Sequence, residues 1–483
     1  MVTQLPPSMR RRPGSAVHTT HKGTRGIRVV FALLLAGGAA ACNVDRLLDT
    51  KDKDTSPVGA INSAAGLPNA YAGAISQFQV GWAGSAADLG SGNEGQVNMT
   101  ALLTDEYIDL ETFPTRISVD QRITAPGNGT LRGNYLDLSQ ARVSAERAAG
   151  LYQQFDPTNV LHAEMLNLAG YSYLVYAEDY CSGIPFDSIA PSGKVIYGQP
   201  LTTDSTYSRA MKDFQAALAI AEADSVTNGG DAKGTEQINV SRIAQARVLL
   251  DEGQFAQAAN LAALVPLSFV YAMEGSSNSP REYNGVWYFT TQLAFSVADL
   301  EGGTGLNFVS GNDPRVPSLD VGTAGFSGVG QDFISEELYT GPTSNTPLAT
   351  GLEAALIVAE SELKAGQTGA WAATLNSLRR SSGSLLASAA AIDSLPTDST
   401  SGASDTLQVS VMFRERAFWL YLTGHRLSDM RRLIRQYHRT AEHVFPTGLD
   451  VVTGSPYGTS IEFPVSSDES NNPNSHGCLN NDA

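Results

Sequence analysis

Two long segments with the apolar periodicity of α-helices constrain the fold of this chain most. In NYLDLSQARVSAERAAGLYQ (134–153) and NVLHAEMLNLAGYSYLVYAEDY (159–180), apolar side chains recur at intervals of three and four residues, which is the spacing of one helix face. Alanine is frequent in such segments, so that neighbouring backbones can approach closely. The pattern predicts antiparallel helix hairpins and a mainly α-helical fold.

Further helical segments lie on both sides of this pair. A helix is predicted at about 60–78, from the same periodicity. A third long helix is expected to start at Asp204 or Ser205, and a fourth at Asn239 or Ser241, because these residue types are favourable N-caps. The hairpin pattern therefore continues beyond residue 180.

One segment resembles a known helical repeat. ARVLLDEGQFAQAANLAALVP (246–266) looks like part of a tetratricopeptide hairpin, with Gly253, Phe255, Ala258 and the final Pro266. No strict period of about 34 residues, the length of that repeat, is visible in the chain. A helical core without true repeats is therefore the alternative interpretation.

Two loop-rich stretches interrupt the helical pattern. Residues 80–132 and 267–350 are rich in Gly, Ser, Asn and Thr or Pro, and long irregular stretches in a compact domain are often functional. Helix returns at 351–380, and 381–406 is expected to be an exposed loop. The mature chain is divided into 42–266, 267–350 and 351–483, as parts of one globule.

The N-terminus predicts export and a lipid anchor. Residues 1–41 carry six Lys and Arg and no acid, and they end in an apolar or small run followed by AAAC, as in a signal peptide. The run resembles a bacterial lipobox with Cys42 as the lipidated residue, although Ala39 stands where leucine is usual. The alternative is plain secretion with an incidental cysteine.

The charge of the mature chain excludes a class of partners. Without residues 1–41, the chain has 26 basic and 49 acidic residues, a net charge of −23. Such a surface repels phosphate backbones. Nucleic-acid binding is therefore not expected.

The two cysteines after Cys42 permit one disulfide. They are Cys181 and Cys478, and an exported protein is oxidised after it leaves the cytoplasm. A bond between them would tie the C-terminal tail to the segment near residue 180. Two separate thiols are the alternative.

No catalytic or metal-binding motif is present in the sequence. It has no GxSxG elbow, HExxH helix or Walker loop, and His438 and His443 are five residues apart, which fits one helix face poorly. None of the 49 acidic residues is singled out as part of a glycosidase pair. The protein is therefore predicted not to be an enzyme and to need no metal or cofactor.

The segment FRERAFWLYLTGHRLSDMRR (413–432) combines charged groups with an apolar surface. As a helix it would be apolar nearly all round, which is typical of a buried helix. Local ion pairs are expected between His425 and Asp429 and between Asp429 and Arg432, while Gly424 permits close packing or marks a break. The residues expected to form a structural ion-pair network are Glu415, Arg416, His425, Arg426, Asp429 and Arg432.

The same segment resembles the C-terminal signature of the SusD/RagB-like outer-membrane nutrient-uptake lipoproteins. The matching residues are Glu415, Arg416, Phe418, Gly424, His425, Arg426, Asp429, Arg431 and Arg432. Thr423 replaces the usual glutamate. AGYSYLVYAEDYCSGIPF (169–186) and IEFPVSSDESNNPN (461–474) also have counterparts in the expected order.

The resemblance implies a mainly α SusD-like fold with tetratricopeptide-like hairpins and long loop-rich insertions. It implies a lipid-anchored outer-membrane protein at the cell surface that binds an oligosaccharide or a peptide without catalysis. The implied partner is a SusC-type TonB-dependent transporter, which receives the ligand. A helical-repeat scaffold lipoprotein that assembles envelope proteins without a small ligand is the alternative function.

Ligand contacts are sought in the two loop-rich stretches. Sugar recognition favours exposed aromatic rings with polar groups nearby. The candidate ligand-binding residues are Trp82, Tyr283, Trp287 and Tyr288, near Asn93, Asn284 and Asp313.

Overall fold

Long helices form most of the molecule, in agreement with the apolar periodicity. The computed structural model describes residues 62–86, 93–190, 194–328, 330–381, 392–400 and 403–482, which all belong to the unit Gly59–Ala483. The predicted signal peptide and Cys42 lie outside the described residues. None of the described helices is long and apolar enough to cross a membrane.

The α-helices are numbered in chain order. They are α1 (Leu67–Ala83), α2 (Gly95–Leu103), α3 (Pro114–Asp120), α4 (Gly129–Phe155), α5 (Val160–Asp179), α6 (Thr203–Thr227), α7 (Ala232–Asp251), α8 (Phe255–Ala262), α9 (Gly285–Thr291), α10 (Gly351–Lys364), α11 (Thr368–Arg380), α12 (Thr397–Thr400), α13 (Asp405–Trp419) and α14 (Arg426–Tyr437).

Short strands connect the helices and pair only in twos within the described ranges. They are β1 (Tyr107–Asp109), β2 (Ile184–Pro185), β3 (Ser188–Ile189), β4 (Val195–Ile196), β5 (Pro200–Leu201), β6 (Val270–Met273), β7 (Phe295–Val297), β8 (Ser318–Ala324), β9 (Asp332–Glu336) and β10 (Thr346–Thr350). The antiparallel pairs are β1 with β7, β2 with β5, β3 with β4, β6 with β10, and β8 with β9.

The predicted pair of long helices corresponds to α4 and α5. Asn128 caps α4 by accepting hydrogen bonds from the N–H groups of Thr130 and Leu131, and Asn159 caps α5 through the N–H of Leu161. α1 packs against α4, and α5 packs against both α4 and α6. Short connections join α4 to α5 and α6 to α7, so each of these two pairs forms an antiparallel hairpin, and most of α5 is buried.

The predicted starts of the next two helices are wrong. Thr202 caps α6 by accepting from the N–H of Ser205, and Asp231 caps α7 by accepting from the N–H of Gly234. The first turn after each of these caps contains few apolar residues. The apolar periodicity of the sequence therefore does not reveal where either helix starts. Helix α1 is also displaced from 60–78, to Leu67–Ala83.

Both stretches interpreted as loop-rich contain regular structure. Residues 80–132 include α2, β1 and α3, and 267–350 include α9 and five strands. Two of these strands, β6 and β7, pair with β10 and β1 respectively. The elements are short, so they lack the repeated apolar spacing that identifies a long helix.

The segment 413–432 forms parts of two helices. α13 ends at Trp419 and α14 begins at Arg426, and Gly424 between them has a φ of +72°. Glycine adopts this left-handed conformation without the steric cost that a side chain would add. The break lets the charged faces of α13 and α14 meet in the core.

Candidate functional site

The charged groups of α13 and α14 pair with one another and with neighbouring helices. Arg416 Nε lies 2.8 Å from Asp429 Oδ2, and Arg432 Nη2 lies 2.7 Å from Asp429 Oδ1. Arg432 also binds Glu360 of α10, at 2.5 Å. The predicted pair of Asp429 and Arg432 is therefore present, within a larger network.

Two further residues of this network reach segments far away in the sequence. Glu415 accepts hydrogen bonds from Arg315 at 2.8 Å and from Arg379. Arg426 Nε lies 2.6 Å from Asp105 Oδ1, just after α2. These contacts link α13 and α14 to four other parts of the chain, so the network holds the C-terminal segment in place.

The predicted pair of His425 and Asp429 is wrong. His425 Nδ1 lies 2.8 Å from the carbonyl oxygen of Thr423, and Nε2 lies 3.0 Å from Arg247 Nη1 and 3.3 Å from Glu353 Oε1. Because His425 begins α14 after a break, its ring points to α7 and α10 rather than along its own helix. Burial and the charge of Arg247 lower the pKa of His425, so the imidazole is neutral and accepts from Arg247.

The network keeps its acids ionised although they are buried. Burial by itself would raise the pKa of Asp429, but the charges of Arg416 and Arg432 outweigh it and hold the pKa well below its usual range. The pKa of Glu415 is lowered in the same way, by Arg315 and Arg379 against the effect of burial. A carboxylate saturated by guanidinium groups is a poor general base, and the arrangement is therefore structural.

Three of the four aromatic candidates lie together on α9 and the residues before it. Tyr283, Trp287 and Tyr288 are each partly exposed, and the rings of Tyr283 and Trp287 are 6.0 Å apart in an edge-to-face arrangement. We call these three residues the aromatic surface. Each side chain keeps part of its surface exposed, while Trp287 and Tyr288 also pack against the core. Partly exposed aromatic rings are what sugar stacking requires.

Local packing explains why the aromatic surface has this shape. Asn284 is buried and caps α9, its Oδ1 accepting from the N–H of Trp287 at 2.9 Å. Its Nδ2 donates to Ser344 O at 3.0 Å and to Thr346 Oγ1 at 2.9 Å. A Cβ on Gly285 would lie only 2.5 Å from Ala83 O, so the start of α9 lies directly against the end of α1.

A buried guanidinium lies beside this surface. Arg116 Nε donates to Glu94 Oε1 at 2.7 Å and Nη1 donates to Glu111 Oε1 at 2.8 Å. Its guanidinium carbon also lies 4.7 Å above the ring of Phe113 and 4.8 Å above the ring of Phe289. Phe289 belongs to α9, so the loop before α2, helix α3 and the aromatic surface are held together.

Glu94 adds an unpaired acceptor to this group. Its Oε2 is buried and has no hydrogen-bond partner, and burial raises the pKa of the carboxyl although the charge of Arg116 opposes this. Tyr288 is close enough for the charge of Arg116 to act on it, against the stronger effect of burial, which raises its pKa. Polar groups therefore accompany the aromatic rings.

Sequence analysis missed Phe113, Arg116 and Glu94. Glu94 precedes α2, whereas Phe113 and Arg116 belong to the start of α3, and no spacing rule brings Glu94 to the other two. The nearby polar candidates have different roles: Asn93 is mostly buried, and Asp313 accepts from Arg315 at 2.7 Å as part of the ion-pair network around Glu415.

Trp82 is not part of the aromatic surface, in contrast to the prediction. It is only 1% exposed, on the buried side of α1, and its Nε1 donates to Pro347 O at 3.0 Å. Its ring packs against Gly424, where a Cβ would lie 2.6 Å from Trp82 Cη2. Trp82 lies in α1 rather than in a loop, and it anchors α1 to the break between α13 and α14.

We expect Gly424→Ala to lower the free energy of unfolding by about 2–4 kcal/mol, because it adds left-handed backbone strain to a steric clash with Trp82. Gly366→Ala is the matched control. Gly366 has a φ of +71° but an added Cβ would meet nothing within 4 Å. Urea denaturation of both variants measures the difference, and equal losses would show that the contact with Trp82 contributes nothing.

A disulfide joins the two cysteines of the described region. Cys181 and Cys478 have an S–S distance of 2.05 Å and a Cα–Cα distance of 5.6 Å. Leu479 N–H also donates to Ser182 O at 2.7 Å, and Arg431 Nη2 donates to Asp482 O at 2.9 Å. The C-terminal tail is therefore held against the exit of α5 by a covalent bond and by hydrogen bonds.

Comparison with known proteins identifies relatives by structure only. No protein-family model matches the sequence, and no curated protein matches it. A solved SusD-like protein from Bacteroides fragilis superposes with a TM-score of 0.61 at 11% identity, over 88% of this chain and 100% of that chain.

Two further solved structures have names that state a ligand class. A SusD-like carbohydrate-binding protein from Bacteroides vulgatus has a TM-score of 0.60 at 14% identity, over 86% of this chain and 97% of that chain. A laminarin-binding SusD-like protein has a TM-score of 0.57 at 14% identity, over 85% of this chain and 99% of that chain. The chain has the SusD-like fold, which confirms the predicted fold class.

Proposed function

We propose that this protein is a noncatalytic lipoprotein that captures an oligosaccharide at the cell surface and passes it to a SusC-type TonB-dependent transporter in the outer membrane. The observation that carries the proposal is the aromatic surface of Tyr283, Trp287 and Tyr288 on a SusD-like fold. Solved proteins with this fold include ones named as carbohydrate-binding and laminarin-binding.

The chemistry of the aromatic surface suits a sugar. The C–H face of a pyranose ring packs against an aromatic face, and hydroxyl groups need charged or amide partners at the edge. Trp287 supplies a partly exposed aromatic ring, whereas Glu94 is fully buried and supports this region from beneath without reaching a bound sugar. Binding needs no bond cleavage, so the absence of a catalytic motif in the sequence is compatible with it.

The proposed function also requires a lipid anchor, which would hold the protein at the membrane beside the transporter. A lipidated Cys42 would carry several acyl chains, which hold a protein stably on a membrane. Residues after Cys42 would then form a tether. The supporting observation is the lipobox-like AAAC sequence. Metabolic labelling with a fatty-acid analogue, compared between the natural chain and Cys42→Ser, tests the anchor.

We expect Trp287→Ala to weaken oligosaccharide binding at least about tenfold, a loss of about 1.4 kcal/mol, without lowering stability much. Trp287 packs on the edge of the core and stays partly exposed, so removal of its ring costs less stability than loss of a fully buried ring. Isothermal titration calorimetry with laminarin, starch and other neutral glycans provides the measurement.

The matched control is Phe326→Ala, which removes a 62% exposed ring from the turn between β8 and β9. It should leave glycan affinity unchanged. If Trp287→Ala binds glycans as well as the natural protein does, the aromatic surface is not the ligand site.

Two other outcomes separate this function from its alternatives. Binding of peptides but no glycan would change the ligand class and keep the uptake role. If neither glycans nor peptides bind, and no TonB-dependent transporter copurifies, the chain would act as a helical scaffold for envelope proteins.

A further inference from the structure

A second concave site lies on the helical hairpins. A cavity of about 620 Å³ opens between α4, α5 and α6, and Phe186, Ser188, Gln199 and Leu201 contribute part of its wall. This volume is within the usual range for ligand pockets, about 300–1,000 Å³. None of the residues that form the aromatic surface lines it. We call it the basic cavity.

The basic cavity gathers cations on a strongly acidic protein. Arg142, Arg209 and Lys212 line it together with two carboxyls, Glu146 and Asp213, although the whole chain carries a net charge of −17. A local excess of positive charge in a concave, partly dry site attracts anions selectively. The ligand should therefore carry negative charge.

The two carboxyls offset part of this charge and leave one cation in excess, and Asp213 Oδ2 lies 3.9 Å from Arg209 Nε. Glu146 Oε2 accepts from Arg142 at 2.7 Å, and Oε1 accepts from Arg209 at 3.1 Å and from the Tyr173 hydroxyl at 2.5 Å. Burial raises the pKa of Asp213 to about 6 although Arg209 opposes this, so Asp213 is partly protonated in mildly acidic solution. Lys212 is exposed and makes no ion pair with any described residue.

Arg142 is built into the floor and keeps one donor unpaired. It is 3% exposed, and its Nη2 donates to Asp187 O at 2.6 Å, while its Nε has no hydrogen-bond partner. Buried guanidinium groups usually have their donors satisfied. The Nε is shielded from solvent, so Arg142 contributes positive charge to the cavity wall rather than an accessible donor.

The rest of the cavity suits a sugar ring. Phe186 is half-buried, with its ring 4.7 Å from that of Tyr173. The amides of Gln153 and Gln199 line the cavity and can pair with hydroxyl groups. Tyr197, two residues before Gln199, is 46% exposed and offers a ring face for an adjoining sugar.

We propose that the basic cavity binds a hexuronic acid residue of an acidic oligosaccharide. Its carboxylate would meet Arg209 and Lys212 at the rim, with the charge of the buried Arg142 behind them, while its hydroxyl groups would meet the glutamine amides. The inference rests on the proposed function only in taking the ligand to be a carbohydrate.

The test compares digalacturonate with its methyl ester, which has the same rings without the charge. Isothermal titration calorimetry with the mature chain at low salt should detect digalacturonate binding that is at least tenfold tighter than binding of the ester. The double variant Arg209→Gln, Lys212→Gln should lose at least tenfold in affinity for digalacturonate. Both residues are exposed, so the variant should fold normally.

Trp287→Ala serves as the control, because it alters the aromatic surface and leaves the basic cavity intact. It should keep digalacturonate binding. Equal affinity for the acid and its ester, or unchanged affinity in the double variant, would overturn the inference. A different outcome would contradict the proposed function: no glycan or peptide would bind in a way that depends on Trp287.

Discussion

Replacement of Asp429 with alanine should lower the free energy of unfolding by about 3–5 kcal/mol, since loss of one partner leaves a buried charge uncompensated. Asp429 is 2% exposed and binds both Arg416 and Arg432 at less than 3 Å. Without it, the guanidinium of Arg416 loses its closest acid, and Arg432 must rely on Glu360 and the more distant Asp251. We expect a lower export yield for the same reason.

The folded fraction of this variant should bind ligand with unchanged affinity, because Asp429 contacts no residue of the aromatic surface. Asp405→Ala is the control. It removes an exposed acid from the first turn of α13, and should cost less than about 1 kcal/mol. Urea denaturation followed by circular dichroism measures both losses. A folded Asp429 variant that no longer binds glycan would assign this helix a functional role.

Loss of the disulfide between Cys181 and Cys478 should be similarly damaging. The two residues are 297 positions apart in sequence, and a cross-link that closes a long loop restricts the unfolded chain strongly. We expect Cys181→Ser, Cys478→Ser to lower the free energy of unfolding by about 4–5 kcal/mol, the upper part of the range for native disulfides.

Reduction of the natural protein provides the matched comparison. Dithiothreitol should destabilise the natural protein by about as much as the double substitution does, and it should have no effect on the double variant. Free thiols are counted before each denaturation experiment. If reduction leaves stability unchanged, the hydrogen bonds of the tail, such as that from Leu479 N–H to Ser182 O, hold the tail without help from the bond.

The long helices were predictable because their apolar spacing persists over many turns. The segments 134–153 and 159–180 correspond to α4, which extends a few residues further at both ends, and to α5, which begins and ends one residue inside the predicted segment. Short elements were not predictable in this way. α3 has 7 residues and β1 has 3, so neither repeats its pattern often enough to be recognised.

The candidate site was likewise only partly predictable from the sequence. Tyr283, Trp287 and Tyr288 were selected as aromatic residues in a loop-rich stretch, and the structure places all three, partly exposed, in α9 or just before it. Trp82 met the same criterion but lies on the buried side of α1, under Gly424. Composition cannot tell an anchoring tryptophan from an exposed one, since burial depends on which residues pack against it.

The sequence by itself determined the helical character of the chain, the buried nature of segment 413–432 and the resemblance to SusD-like proteins, because periodicity and residue type are local properties. Only the tertiary structure decided the partners of the buried charges. Arg426 binds Asp105, and His425 lies against Arg247 and Glu353, across separations of up to 321 residues. A buried charge is stabilised by whichever opposite charge the fold brings within reach, and the chain order does not reveal that distance.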